Sequence, residues 1–110
     1  DIPSNKEFVA AFKKEYGQDA VIGDVTESAY LGPWLWKRAV EKAGSFDVDK
    51  VVAASDNMEW KEGMPHGYTK VDPNHHLWMR TRIGQWGSDG QAKVVWESDV
   101  IEPNPFPEGY

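Results

Sequence analysis

The sequence has no cysteine, so its residues can supply neither a disulfide framework nor a thiolate nucleophile or metal ligand. Basic residues are few and dispersed: 12 lysines and arginines stand against 18 aspartates and glutamates, a formal charge of −6. Phosphate backbones and anionic lipid surfaces are held by clusters of Lys and Arg, so neither nucleic acid nor a membrane surface is an expected partner. No apolar run approaches the roughly 20 residues of a bilayer-spanning helix. A Gly-x-Ser-x-Gly elbow, a phosphate-binding loop and a dinucleotide fingerprint are all missing. Internal repeats and low-complexity tracts are missing too. There is no initiating Met and no signal peptide, and the opening Asp1-Ile2-Pro3 reads as a processed or cut end. An enzymatic reading finds no positive support in these residues.

What remains is a chain of 110 residues, near the lower edge for a domain with its own core, and six tryptophans that carry much apolar area. The organising stretch is Thr26 to Gly44. Stepping about 100° per residue puts Leu35, Trp36, Ala39, Val40 and Ala43 on one apolar stripe, with Lys37, Arg38, Glu41 and Lys42 on the remaining circumference. Gly44 is a natural stop. Thr26 is placed as the cap, Glu27 suits the positive helix end, and Pro33 should kink the helix by removing the bond to the Ala29 carbonyl. Two readings of this start remain open. It is a capped surface helix, which on residues alone is the commoner case. Alternatively, it offers a helix start to a small polar ligand, with Glu27 and Tyr30 as side-chain contacts.

Before this helix, Ser4 and Glu7 have capping-box spacing, and Phe8, Val9, Phe12 and Tyr16 follow at helical intervals up to Gly17. Ala20 to Val25 reads as a strand or extended connector. After it, Asp47 should cap a short helix carrying Val48, Val51, Val52 and Ser55 on one face. The chain then turns extended, with strands expected over Met58–Glu62 and Tyr68–Val71. A hairpin should follow, Leu77–Trp86 against Gln91–Ser98 around Asp89-Gly90. A two-residue loop sets Leu77, Met79, Thr81 and Ile83 on one face with Ala92, Val94 and Trp96, and permits an Arg80–Glu97 pair. The tail from Ile101 has three prolines, excluding regular structure, and Phe106 should anchor it on another surface. Three helices followed by an antiparallel hairpin and a Pro-rich tail make an α+β chain. The helices' apolar faces call for a sheet that these residues do not contain, as though they belong to a larger α/β protein.

Asn74-His75-His76 invites a zinc reading, but adjacent side chains on a strand point to opposite faces and His66 lies across a strand, so no metal is expected. The tryptophans form no single platform: Trp36 and Trp96 fall on faces expected to be buried, and the others are scattered.

A resemblance runs along nearly the whole chain. It is carried by Phe8–Tyr16, Glu27-Ser28-Ala29-Tyr30 and Trp36-Lys37-Arg38-Ala39-Val40-Glu41-Lys42-Ala43-Gly44-Ser45, then Asp47-Val48-Asp49-Lys50-Val51, Asn74-His75-His76 and Asp89-Gly90-Gln91. Val95-Trp96-Glu97-Ser98 and Glu102-Pro103-Asn104-Pro105-Phe106-Pro107 complete it. In this order and spacing they resemble the C-terminal part of type I periplasmic solute-binding proteins. The similarity is greatest to the urea and short-chain-amide branch of the branched-chain amino-acid-binding group. The resemblance implies two α/β lobes closing on a small polar solute, with residues 1–76 in the N-terminal lobe and residues 77–110 crossing to the C-terminal lobe. It implies a periplasmic component of an ABC importer that works with a membrane permease and uses no cofactor. Glu27 is then the foremost ligand-facing residue, accepting N–H donors of urea or an amide, with Thr26 and Tyr30 beside it. Alternatives are a cytoplasmic amide-sensing regulator of the same fold and a stand-alone Trp-rich interaction or carbohydrate-binding module. Exposed helix faces would also favour self-association.

Overall fold

The computed structural model describes residues 2–109, so Asp1 and Tyr110 lie outside the described residues. Three helices come first: α1 (Pro3–Tyr16), α2 (Asp24–Ala43) and α3 (Val48–Ser55). Five short strands follow: β1 (Glu59–Trp60), β2 (Thr69–Val71), β3 (Leu77–Trp78), β4 (Arg82–Trp86) and β5 (Ala92–Glu97). Strands β1, β2 and β3 form an antiparallel meander in that order, and β4 and β5 a separate hairpin. The expected α+β order is therefore observed.

Helix starts differ from expectation in an instructive way. Pro3 opens α1, where its fixed φ suits the first turn and its missing N–H costs nothing. Ser4 therefore lies inside the helix, and its hydroxyl donates to the Met64 carbonyl at 2.7 Å instead of forming a capping box with Glu7. Helix α2 starts at Asp24, two residues before the expected cap Thr26, with extended Gly23 as the boundary residue. Asp24 and Glu27 both place negative charge in the first turn, which favours the earlier start. Residues 20–23 are connector, not strand. The helix runs through Pro33 as one element and ends at left-handed Gly44, whose N–H reaches the Val40 carbonyl at 2.9 Å. Asp47 caps α3 as expected, accepting from the Lys50 N–H at 3.1 Å.

The core is the seam between α2, α3 and the meander, built from Leu31, Ala39, Met58, Trp60, Met64 and Val71. Leu35, Val51 and Leu77 pack partly buried against it. Two magnitudes show how open this arrangement is. The radius of gyration is 16.1 Å, where a compact domain of this length would have about 13 Å. The accessible surface is 8313 Å², where a folded monomer of this mass exposes about 6,100 Å². Trp36 and Trp96, expected inside, are 55% and 50% exposed, because no described element covers their faces.

The hairpin corrects the expected register. The loop has three residues, 88–90, with Gly90 left-handed and Gly87 and Gln91 closing it through a 2.8 Å bond. Trp86 therefore faces Ala92 and Gly84 faces Val94, so Ala92 and Val94 do not share the Ile83 face. An irregularity between Ile83 and Gly84 then restores Ile83 opposite Trp96 and sets Arg82 directly opposite Glu97, while Arg80 still reaches the Glu97 carboxylate at 3.8 Å, the expected ion pair. The expected long strand Leu77–Trp86 is also divided. The Asp72–His76 turn, with His75 at positive φ, folds Leu77–Trp78 back onto β2. Phe106 is 89% exposed and anchors nothing. The tail is held instead by the Met79–Ile101 bridge and by the Asn74 side-chain amide, which donates to the Pro103 carbonyl.

Candidate functional site

Glu27 lies one turn into α2, and its own N–H is spent on the Gly23 carbonyl. Its side chain is 17% exposed, and Oε1 lies 2.7 Å from Nδ1 of His66, itself 12% exposed. His66 comes from the loop between β1 and β2, where buried Pro65 and left-handed Gly67 fix the chain path. Its other ring nitrogen, Nε2, lies 2.6 Å from Oγ1 of Thr69, and Thr69 is completely buried.

Hydrogen-bond accounting assigns one proton. A carboxylate only accepts, so Nδ1 of His66 is the donor to Glu27. The Thr69 hydroxyl also lies 3.3 Å from the Gly67 carbonyl. It can donate there while accepting from a protonated Nε2, or turn to donate to an unprotonated Nε2. Either way the imidazole is held at both ends.

The second oxygen of Glu27, Oε2, has no hydrogen-bond partner among the described residues, and it is not a buried orphan. Glu27 lines an open cleft of about 330 Å³, within the size range of small-molecule sites. Ile2, Asn5 and Phe8 form one wall, Ile22 to Asp24 another, and Pro65, Arg82 and Val94 complete the rim. Arg82 ties the hairpin to this cleft: Nη1 donates to the His66 carbonyl at 3.1 Å, and Nε donates to the Glu97 carboxylate.

The sequence candidates are thus only partly brought together. Thr26 is half-buried in the first turn and does not line this cleft. Tyr30 stacks on Phe8 at 4.6 Å and lines a different cavity of about 340 Å³ with Trp34, Arg38 and Trp60, where the Arg38 guanidinium lies over the Trp60 ring. Sequence reasoning missed His66 and Arg82 as members of the cleft and Thr69 as the buried partner of His66. The signal was the Gly63-Met64-Pro65-His66-Gly67 loop, whose glycines and proline presented one ionisable side chain from a constrained turn. His75 and His76 lie apart on the 72–76 turn, and among the described residues no group of three His, Asp or Glu side chains could hold a metal ion.

Residues 1–110 match a family model described as "Periplasmic binding protein domain". The chain belongs to that family. It is 38% identical over 103 residues to "Limonene hydroxylase" of Geobacillus stearothermophilus, covering 94% of this chain and 19% of that protein. It is 30% identical over 97 residues to "Leu/Ile/Val-binding protein homolog 7" of Brucella melitensis biotype 1, covering 86% of this chain and 24% of the relative. The protein of the same name in Brucella suis biovar 1 matches equally. This periplasmic-binding-protein chain thus spans about a fifth to a quarter of the length of the curated relatives it matches. Its helices and small antiparallel sheets are consistent with a segment of such a domain, and none of its described helices is long and apolar enough to cross a membrane.

Proposed function

We propose that this chain is part of the extracytoplasmic solute-binding component of an ABC importer, and that its solute is urea or a short-chain amide. Family membership supports the solute-binding role and, with it, a membrane permease as partner. The observation that carries the amide reading is that Glu27, with Oε2 unpaired, lines a cleft of solute size. A carboxylate oxygen accepts an N–H, and Arg82 on the same rim offers guanidinium N–H donors to a carbonyl, so the two side chains match the two ends of an amide. In this reading residues 1–76 belong to the N-terminal lobe and residues 77–110 cross to the C-terminal one, with the cleft completed by the opposing lobe.

The names of the Brucella relatives favour a second ligand, a branched-chain amino acid, whose ammonium group would also meet Glu27. The Geobacillus relative's name speaks for a hydroxylation. The shared segment is 19% of that protein, and the same residues match the binding-domain model, so we read the segment as its solute-binding part.

Calorimetric titration of the full-length protein carrying these residues separates the ligands. Urea or acetamide should bind, and Glu27→Gln should weaken binding by about 1–3 kcal/mol, since the ligand N–H then meets a neutral amide group. Leucine binding without amide binding would replace the amide reading. Unchanged amide affinity in Glu27→Gln would remove Glu27 from the site.

A further inference from the structure

We propose that His66 tunes the specificity of the Glu27 cleft by occupying one oxygen of that carboxylate and leaving Glu27 a single free acceptor for the solute. This rests on the reading of the cleft as an amide site.

A free carboxylate has two oxygens side by side. That geometry suits the paired N–H groups of a guanidinium or amidinium, which bind in a fork. In this chain Oε1 is taken by Nδ1 of His66 at 2.7 Å, so the fork has only Oε2 to meet. The imidazole cannot readily yield the position. Its far nitrogen is held at 2.6 Å by Thr69, which is completely buried, and the His66 backbone carbonyl accepts from Arg82. The charge of Arg82 in this cleft is paired with the Glu97 carboxylate, and Asp24 adds a second carboxylate to the lining, so the discrimination lies in how Glu27 can meet a forked donor and not in the cleft's net charge. A neutral amide needs one acceptor for its N–H and one donor for its carbonyl, and the free oxygen of Glu27 and the Arg82 guanidinium supply that pair. His66 is therefore a positioning residue: it acts on the solute through Glu27.

The test compares acetamide with acetamidinium, one neutral and one cationic, in the full-length protein. His66→Ala should move the ratio of the two affinities toward acetamidinium by about tenfold or more, the scale of one charge-assisted hydrogen bond. His66→Gln, which keeps an N–H donor in place, should stay near the wild-type ratio. Acetamide binding by wild type with an unchanged ratio in His66→Ala would overturn the role of His66 while leaving the amide reading intact. Absence of any amide binding by wild type would overturn both. A measurement independent of variant folding is the ¹⁵N signal of the His66 ring in the unsubstituted protein. Saturation with acetamide should shift Nδ1 as Glu27 gains a second partner, and an unmoved signal would count against the proposal.

Discussion

Replacing Thr69 tests whether the hydroxyl or the mere volume of this buried side chain holds the cleft together. Thr69 is completely buried, and its Oγ1 sits between Nε2 of His66 at 2.6 Å and the Gly67 carbonyl at 3.3 Å. Thr69→Val keeps the shape and removes the hydroxyl, leaving the ring nitrogen and the carbonyl without that partner. Unmet hydrogen bonding of a buried group costs about 1–3 kcal/mol. For a chain of this size each kcal/mol moves the melting temperature by roughly 4–8 °C, so the expected fall is on the order of 5–20 °C. Thr69→Ser keeps the hydroxyl and removes one methyl, about 1 kcal/mol including the small void it leaves. Thermal unfolding followed by circular dichroism should therefore rank wild type above Thr69→Ser and Thr69→Ser above Thr69→Val. If Thr69→Val melts with wild type, or if Thr69→Ser falls further than Thr69→Val, packing decides the site and the hydrogen-bond argument is wrong.

Two other expectations concern the rest of the chain. The Asp72 carboxylate accepts from the Trp78 indole N–H at 2.8 Å and from the Asn74 N–H at 3.1 Å, and these bonds hold its pKa below the ordinary carboxylate value. The folded state therefore binds fewer protons there than the unfolded state, so the contribution is full above the ordinary value and disappears as pH falls through the lowered one. Stability measured down the acid limb should drop more steeply in wild type than in Asp72→Asn, and parallel limbs would refute this. The second expectation follows from open surface. The 8313 Å² exposed exceeds that of a self-contained monomer of this mass by about 2,200 Å², and Trp36, Trp86 and Trp96 are among the bare side chains. The 110-residue chain in isolation should self-associate in a concentration-dependent way by light scattering; a monomer throughout the concentration series would show that this surface is tolerated in water.

How much of this was legible in the residues depends on the range of the interaction concerned. Helix existence, the Gly17 and Gly44 stops, the Asp47 cap and the Asp89-Gly90 turn all depend on residues within a few positions of one another, and all can be read directly. Glu27 stands out for the same reason, as an acidic side chain near a helix start. What the sequence could not reveal was the partner of Glu27. His66 lies 39 positions away, and only the folding of the β1–β2 loop against α2 brings its ring to the carboxylate. The hairpin register was equally beyond reach, because a third loop residue and one irregularity shift pairing by single positions, and both arise from backbone geometry that residue types only loosely constrain. The chain by itself thus determined its helices and the hairpin turn, its family resemblance and one acidic candidate. Tertiary structure alone decided that this acid has one oxygen engaged and one free, because that depends on contacts between segments whose separation along the chain carries no local pattern.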